Sequence, residues 1–187
     1  LHKEYRRQRQ MCIRDSLKAI HEMEKEHVKL MVFPEFCITG YTCHDLFLQR
    51  CLLDSAWDEL LHIAEETRET DALIFVGLPL RHRGKLYNVA AALNHGRIVG
   101  FVPKTHIPNY NEFYEQRQFA GAEEEDVEFV DFLKCEKNEE DEFWDEIPFG
   151  TELIFECKEF PEFTVAAELC AVSYTHLRAH ETSQDLV

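Results

Sequence analysis

Three apolar runs in this chain each stop at a reactive side chain, and that pattern constrains the fold more than any other feature. LMVFPE ends at Glu35, IVGFVPK at Lys104 and FTVAAELC at Cys170. Short apolar runs of this kind read as buried strands. If the three are strands of one sheet, its carboxyl edge gathers a carboxylate, an ammonium and a thiol. Open α/β sheets place their ligands at that edge. The three groups together are equipped for nucleophilic acyl transfer.

The rest of the pattern alternates helix and strand. Leu17 to Val28 carries Leu17, Ile20, Met23 and either His27 or Val28 on one helical face, with Ser16 as its expected N-cap. Leu30 to Phe33 is a short buried strand. From His44 to Glu69 apolar residues recur at helical spacing, as one helix or two broken ones. Ala72 to Leu80 is an apolar strand. Leu86 to Leu93 and Arg97 to Val102 form a hairpin about Asn94-His95-Gly96. Thr151 to Cys157 and Phe163 to Leu169 read as two further strands. Between Glu123 and Glu146 stand thirteen acidic residues. Charge of one sign at this density opposes compact packing, so 122–147 is expected to be a partly disordered surface insertion, dispensable for chemistry and cut first by proteases.

Composition excludes several classes. The 187 residues, 45% of them hydrophobic, suffice for about one domain with a real core. A net charge of −16 argues against a nucleic-acid partner, which would need a basic face. No apolar run approaches the roughly 18 residues of a membrane span. Seven cysteines (Cys12, Cys37, Cys43, Cys51, Cys135, Cys157 and Cys170) form no CxxC pair and are odd in number. Reduced thiols in a cytoplasmic protein fit better than a disulfide framework. His176 and His180 have helical ligand spacing, but no Cys or carboxylate cluster joins them, so no metal site is expected. MCIRDS (Met11–Ser16) and VSYTHLRAHETSQDLV (Val172–Val187) resemble translated sequencing-adapter DNA. Residues 1–16 and 171–187 are therefore expected to be non-native, flanking a native piece of about 17–170 cut from a longer gene.

Three stretches carry a family resemblance: VFPEFCITGYTCHDLF, then GLPLRHRGKLYNVAAALNHGRIVGFVPKTHIPNYNEFYEQRQF, and finally FTVAAELC. They resemble the nitrilase superfamily, and more closely the N-terminal glutaminase domains of the glutamine-dependent NAD synthetase family. PKTHIPNYNEFYE is the most specific piece. The resemblance implies a four-layer α-β-β-α sandwich, truncated here at both ends. It implies Glu35, Lys104 and Cys170 as a catalytic triad. Tyr41, Tyr110 and Phe113 would line the pocket for L-glutamine, with Glu112 and Glu115 close enough to matter. His106 is expected to be a structural hydrogen-bonder. The spacing between Glu35 and Lys104 suits the family. That between Lys104 and Cys170 is long, and the acidic stretch would account for the excess. The family's Glu-Asp-aromatic continuation after the nucleophile is replaced by Ala171, Val172 and Ser173. The parent is expected to be homo-oligomeric. It would pass ammonia to a synthetase domain of the same chain, which amidates deamido-NAD using ATP and magnesium. No Ser-Gly-Gly loop or other phosphate cradle occurs here, so this chain itself is expected to hold no cofactor.

In chemical terms, Glu35 would take the thiol proton, Cys170 would attack the carboxamide carbon, and Lys104 would face the oxyanion. Each residue alone has a plainer reading. Glu35 and Lys104 could be solvated strand ends, Cys170 a core cysteine, and Tyr110 and Phe113 loop packing. Two competing functions stay open. One is a stand-alone nitrilase-family amidase acting on another carboxamide. The other is a non-catalytic domain whose acidic insert binds a basic partner.

Overall fold

The structure, a computed structural model, describes residues 15–109, 114–123, 127–131 and 146–169. Residues 15–25 form helix α1. Residue 15 is already helical, so Ser16 lies inside the helix and does not cap it from outside. Then come β1 (Leu30–Val32), a 3-10 segment (Tyr41–Leu48) and α2 (Arg50–Glu66). β2 (Leu73–His82), β3 (Lys85–Asn94) and β4 (Arg97–Pro103) follow, then a 3-10 turn at Glu115–Arg117. The described chain closes with β5 (Glu128–Asp131), β6 (Glu146–Phe149), β7 (Ile154–Glu156) and β8 (Thr164–Ala166). The helical pattern from His44 onward is thus two pieces. They are broken at Gln49, which is extended, and the first is itself kinked where His44 takes φ 47°, ψ −130°.

Six strands form one mixed sheet in the order β1-β2-β3-β4-β6-β5. β1 runs parallel to β2, and β2, β3 and β4 are joined antiparallel by two tight hairpins. Both hairpins turn on two residues with positive φ: Arg83 (44°) and Gly84 (79°), then His95 (47°) and Gly96 (74°). That geometry matches the right-handed twist of the flanking strands, which is why an X-Gly pair closes each. The second turn sits where Asn94-His95-Gly96 places it. The first, at Arg83-Gly84, was not read from the sequence.

One sheet face is covered by α1 and α2. Ile20, Ala56, Leu60 and Ile63 pack there against Met31, Ile74, Val76, Leu78 and Phe101, all essentially inaccessible to water. Burying an aliphatic side chain of this size stabilises by about 1.5–3 kcal/mol. The amphipathic stripe of α2 therefore fixes which way the sheet faces. The other face meets the β7–β8 hairpin, where Phe155 packs edge-on to Phe75 at 5.4 Å. Gly100 lies beneath the same hairpin, its missing Cβ space filled by Leu153 and Phe155 at 3.0 and 3.1 Å.

Two expectations change. The run ending at Leu169 is not a strand of the main sheet; only Thr164–Ala166 is strand, and it pairs with Ile154–Glu156 in a separate two-stranded sheet. The acidic stretch is not wholly an insertion lying off the fold. Glu128–Asp131 pairs with Glu146–Phe149 at the sheet edge, and Val130 is buried. Apolar Phe129, Val130, Ile147 and Phe149 supply what the net charge of the stretch conceals. Glu128 is held by Arg83 at 2.5 Å and His82 at 2.6 Å, so its charge is paired. The intervening residues 132–145, and 124–126, lie outside the described residues. Among the described residues no helix is long and apolar enough to cross a membrane.

Candidate active site

Glu35 is the fifth residue after the start of β1, in a turn laid across β2. Phe33 N–H bonds Phe75 O at 2.9 Å and Ile38 N–H bonds Gly77 O at 3.3 Å, which ties the turn to the strand. The approach is so close that a Cβ on Gly77 would lie 2.5 Å from Phe36 N and 2.8 Å from Pro34 O. Only glycine fits there. Phe36, next to Glu35, adopts φ 54°, a sparsely populated region for a bulky residue. It is held by rings on three sides: Phe47 at 4.9 Å, Phe119 at 5.1 Å and Tyr41 at 5.8 Å. The aromatic cluster thus sets the direction of Glu35.

Lys104 follows the last residue of β4. β4 runs in the same sense as β1, so both residues leave the sheet at the same end, as the sequence pattern requires. The Lys104 side chain is wholly buried, with Nζ 2.8 Å from Glu35 Oε1 and 2.9 Å from Glu115 Oε2. Burial alone would discharge it. The hydrogen bonds it donates to Glu35 and Glu115, and their negative charge, outweigh that, and the pKa rises above the usual lysine value. At neutral pH the ammonium is therefore charged between two carboxylates. Two of its three N–H groups are committed, and among the described residues the third has no acceptor.

Glu115 is delivered by the Glu115–Arg117 turn and is itself buried. Its other oxygen accepts from Tyr41 OH. The turn is pinned by a two-pronged contact from Arg117 Nε and Nη2 to Asp45, both at 2.9 Å, with Gln118 Nε2 adding a third bond at 3.0 Å. Those bonds, Gln118 first and then Arg117, hold the Asp45 carboxyl below its usual range, so the clamp persists well into acid.

Of the residues expected at the site, Glu35, Lys104 and Tyr41 are brought together, with Tyr41 connected through Glu115. Cys170, Tyr110, Phe113 and Glu112 lie outside the described residues. His106 Nδ1 meets Thr105 Oγ1 at 3.0 Å, at the surface and away from this cluster. Glu35 opens onto a cavity of about 320 Å³ lined also by Leu30, Val32, Phe33, Phe75, Gly77, Ala90 and residues 165–169. Cys37, Cys43, Cys51 and Cys157 are in no disulfide among the described residues. Among the described residues no group of three His, Cys, Asp or Glu could hold a metal ion.

Asn88 escaped the sequence reading. It is wholly buried in β3, and its Nδ2 donates to Glu35 Oε1. The available signal was an amide inside the apolar run LYNVAAAL. A buried amide needs a partner, and a carboxylate is a fitting one.

Comparison with known proteins supplies the frame for this geometry. The family model described as "Carbon-nitrogen hydrolase" matches residues 6–142. A glutamine-dependent NAD(+) synthetase of Mycobacterium bovis is 35% identical over 157 residues, 83% of this chain and 21% of its own length. That of Aquifex aeolicus is 38% identical over 112 residues, 58% of this chain and 19% of its own. The crystal structure of a glutamine-dependent NAD(+) synthetase from Cytophaga hutchinsonii superposes with TM-score 0.69 at 28% identity, covering 79% of this chain and 23% of that one. An amidase of the nitrilase superfamily from Nesterenkonia, at 19% identity and TM-score 0.52, covers 66% of this chain and 46% of its own, and shares the fold. The chain spans about a fifth of the length of the curated relatives it matches.

Proposed function

The chain belongs to the carbon-nitrogen hydrolases and is homologous to the glutamine-hydrolysing part of NAD synthetases, and from that membership we propose that it releases ammonia from L-glutamine through Cys170, Glu35 and Lys104. The observation that carries the reading is the buried Lys104 ammonium held between Glu35 and Glu115, beside a cavity that Glu35 shares with residues 165–169. Cys170 is the next residue of the chain after Leu169.

In this reading Glu35 accepts the Cys170 thiol proton and the thiolate attacks the carboxamide carbon of glutamine. The C=O electron pair moves onto oxygen. The third N–H of Lys104 donates to that oxyanion, in a place where water competes poorly. The C–N bond then breaks, Glu35 returns its proton to the departing nitrogen, and ammonia leaves a γ-glutamyl thioester. Water, deprotonated by Glu35, opens the thioester to glutamate and the thiol is restored. Glu115 keeps Lys104 charged and aimed throughout. Tyr41, Tyr110 and Phe113 are proposed to line the glutamine pocket. The ammonia serves amidation of deamido-NAD in a synthetase domain of the full-length protein, where ATP and magnesium would bind. That protein is proposed to be cytoplasmic and homo-oligomeric, and its stretch 17–170 to be the glutaminase unit.

The test is ammonia release from glutamine by the full-length protein and by Cys170→Ala. The expected result is stoichiometric glutamate and ammonia, lost in the variant. Turnover of simple aliphatic amides but not glutamine would replace the substrate. Undiminished turnover by Cys170→Ala would remove the mechanism.

A further inference from the structure

We propose that Asn88 is the positioning residue that locks Glu35 and Lys104 into one unit and selects which Glu35 oxygen handles protons. Its last clause rests on the function proposed above. Asn88 is fully buried in the middle of β3, opposite Pro79 of β2. One residue grips both partners. Its backbone carbonyl accepts the Lys104 N–H at 2.8 Å, and its side-chain amide donates to Glu35 Oε1. Lys104 Nζ donates to that same Oε1, at 2.8 Å.

The orientation of the amide follows from chemistry. Turned over, Asn88 would set its carbonyl oxygen against a carboxylate oxygen, two acceptors with no proton between them. As it stands, Oδ1 has no partner among the described residues. A buried acceptor left unsatisfied carries a cost, and the charge-assisted bond made by Nδ2 is what offsets it. An apolar residue would avoid that cost in a strand whose other buried residues are Leu, Tyr, Val and Ala, so the amide is explained by Glu35 and not by the core.

The consequence falls on Glu35. Oε1 receives two donors, and among the described residues none reaches Oε2. An oxygen that already accepts two hydrogen bonds is a poor proton acceptor, because a proton taken there displaces a donor. Oε2 is therefore the atom that exchanges protons with the thiol, the leaving nitrogen and water. Asn88 also fixes the carboxylate plane, so that Oε2 keeps one direction through every step.

Two measurements test this. In the 187-residue chain, the Asn88 side-chain amide protons are followed by NMR in wild type and Glu35→Gln. A bond to a carboxylate is stronger than one to a neutral amide, so the bonded proton is expected to move upfield in the variant and to exchange faster. Resonances unmoved by Glu35→Gln would overturn the proposal, whether or not any variant at position 88 folds. In the full-length protein, glutamine turnover is measured for Asn88→Leu and Asn88→Asp. Asn88→Asp keeps the shape and, at neutral pH, removes the donor. Both are expected to lose roughly 10–100-fold in kcat with KM little changed, the signature of a misdirected base. Wild-type kcat in Asn88→Asp would show that position 88 matters for shape alone. Absence of glutamine turnover in every form, wild type included, would sink the functional reading, while the NMR comparison would still decide the Asn88 bond.

Discussion

Lys104 is the residue on which the site depends, because its charge is buried and is balanced from two sides. Removing it leaves Glu35 and Glu115 facing one another without a counter-ion. Breaking a buried pair by deleting one partner costs about 3–5 kcal/mol. Lys104→Met is therefore expected to lower the melting temperature markedly as well as to stop glutamine turnover. A variant that melts like wild type would mean that the two carboxylates are not held by this ammonium. The pH dependence has a definite sign. The Lys104 pKa is raised in the fold, so its contribution to stability is full below the ordinary lysine value of 10.5 and is lost as pH rises through the higher folded value. Stability curves of wild type and Lys104→Met are expected to differ at neutral pH and to converge in strong alkali. A gap that stayed constant to the alkaline limit would contradict the assignment.

At the scale of elements, the site is a contact between a turn and a strand, and glycines decide how closely they approach. Gly77→Ala would force a methyl into the backbone of Pro34 to Phe36. Overpacking of this kind costs about 1–3 kcal/mol, and it would displace the turn that carries Glu35. The expected outcome is a lower melting temperature together with a loss of turnover of the order of 100-fold, as for a catalytic group misplaced by about 1 Å. The two hairpin glycines offer a contrast. Gly84 and Gly96 share the positive φ of their turns, yet a Cβ on Gly84 meets nothing within 4 Å, whereas on Gly96 it comes within 3.0 Å of Arg68 Cα and 3.2 Å of Ala64 O. Asparagine tolerates this backbone region. Thermal melts should find Gly84→Asn nearly neutral and Gly96→Asn clearly destabilised. Equal effects would mean that the end of α2 does not press on the second hairpin.

For the molecule as a whole, amide hydrolysis and amidation are proposed to reside in different parts of one protein, and nitrogen source separates them. In the full-length protein, Glu35→Gln, Lys104→Ala and Cys170→Ala are each expected to abolish NAD formation from glutamine and to leave formation from free ammonia intact. Equal loss of both routes would assign these residues a structural role. Much of this was legible in the sequence because apolar runs and reactive residues are local signals. The runs ending at Glu35 and Lys104 specify two strands that leave the sheet at one end. The α2 periodicity specifies a helix on one face, and His95-Gly96 a tight turn. Other features had only a weak local signal or none. The assignment of residues 164–166 to a separate hairpin depends on what Phe75 and Gly100 present across the sheet. The β5–β6 pair was hidden because net charge masks alternation, and only the backbone pairing of Glu128–Asp131 with Glu146–Phe149 at the sheet edge makes it a strand. Asn88 and Glu115 join the site through contacts 53 and 11 residues away in the chain. The sequence by itself determined which groups are available and which backbone stretches carry them. The tertiary structure alone decided that Lys104 stands between two carboxylates and that Asn88 grips one of them, because burial and hydrogen-bond partnership arise only when separate strands meet.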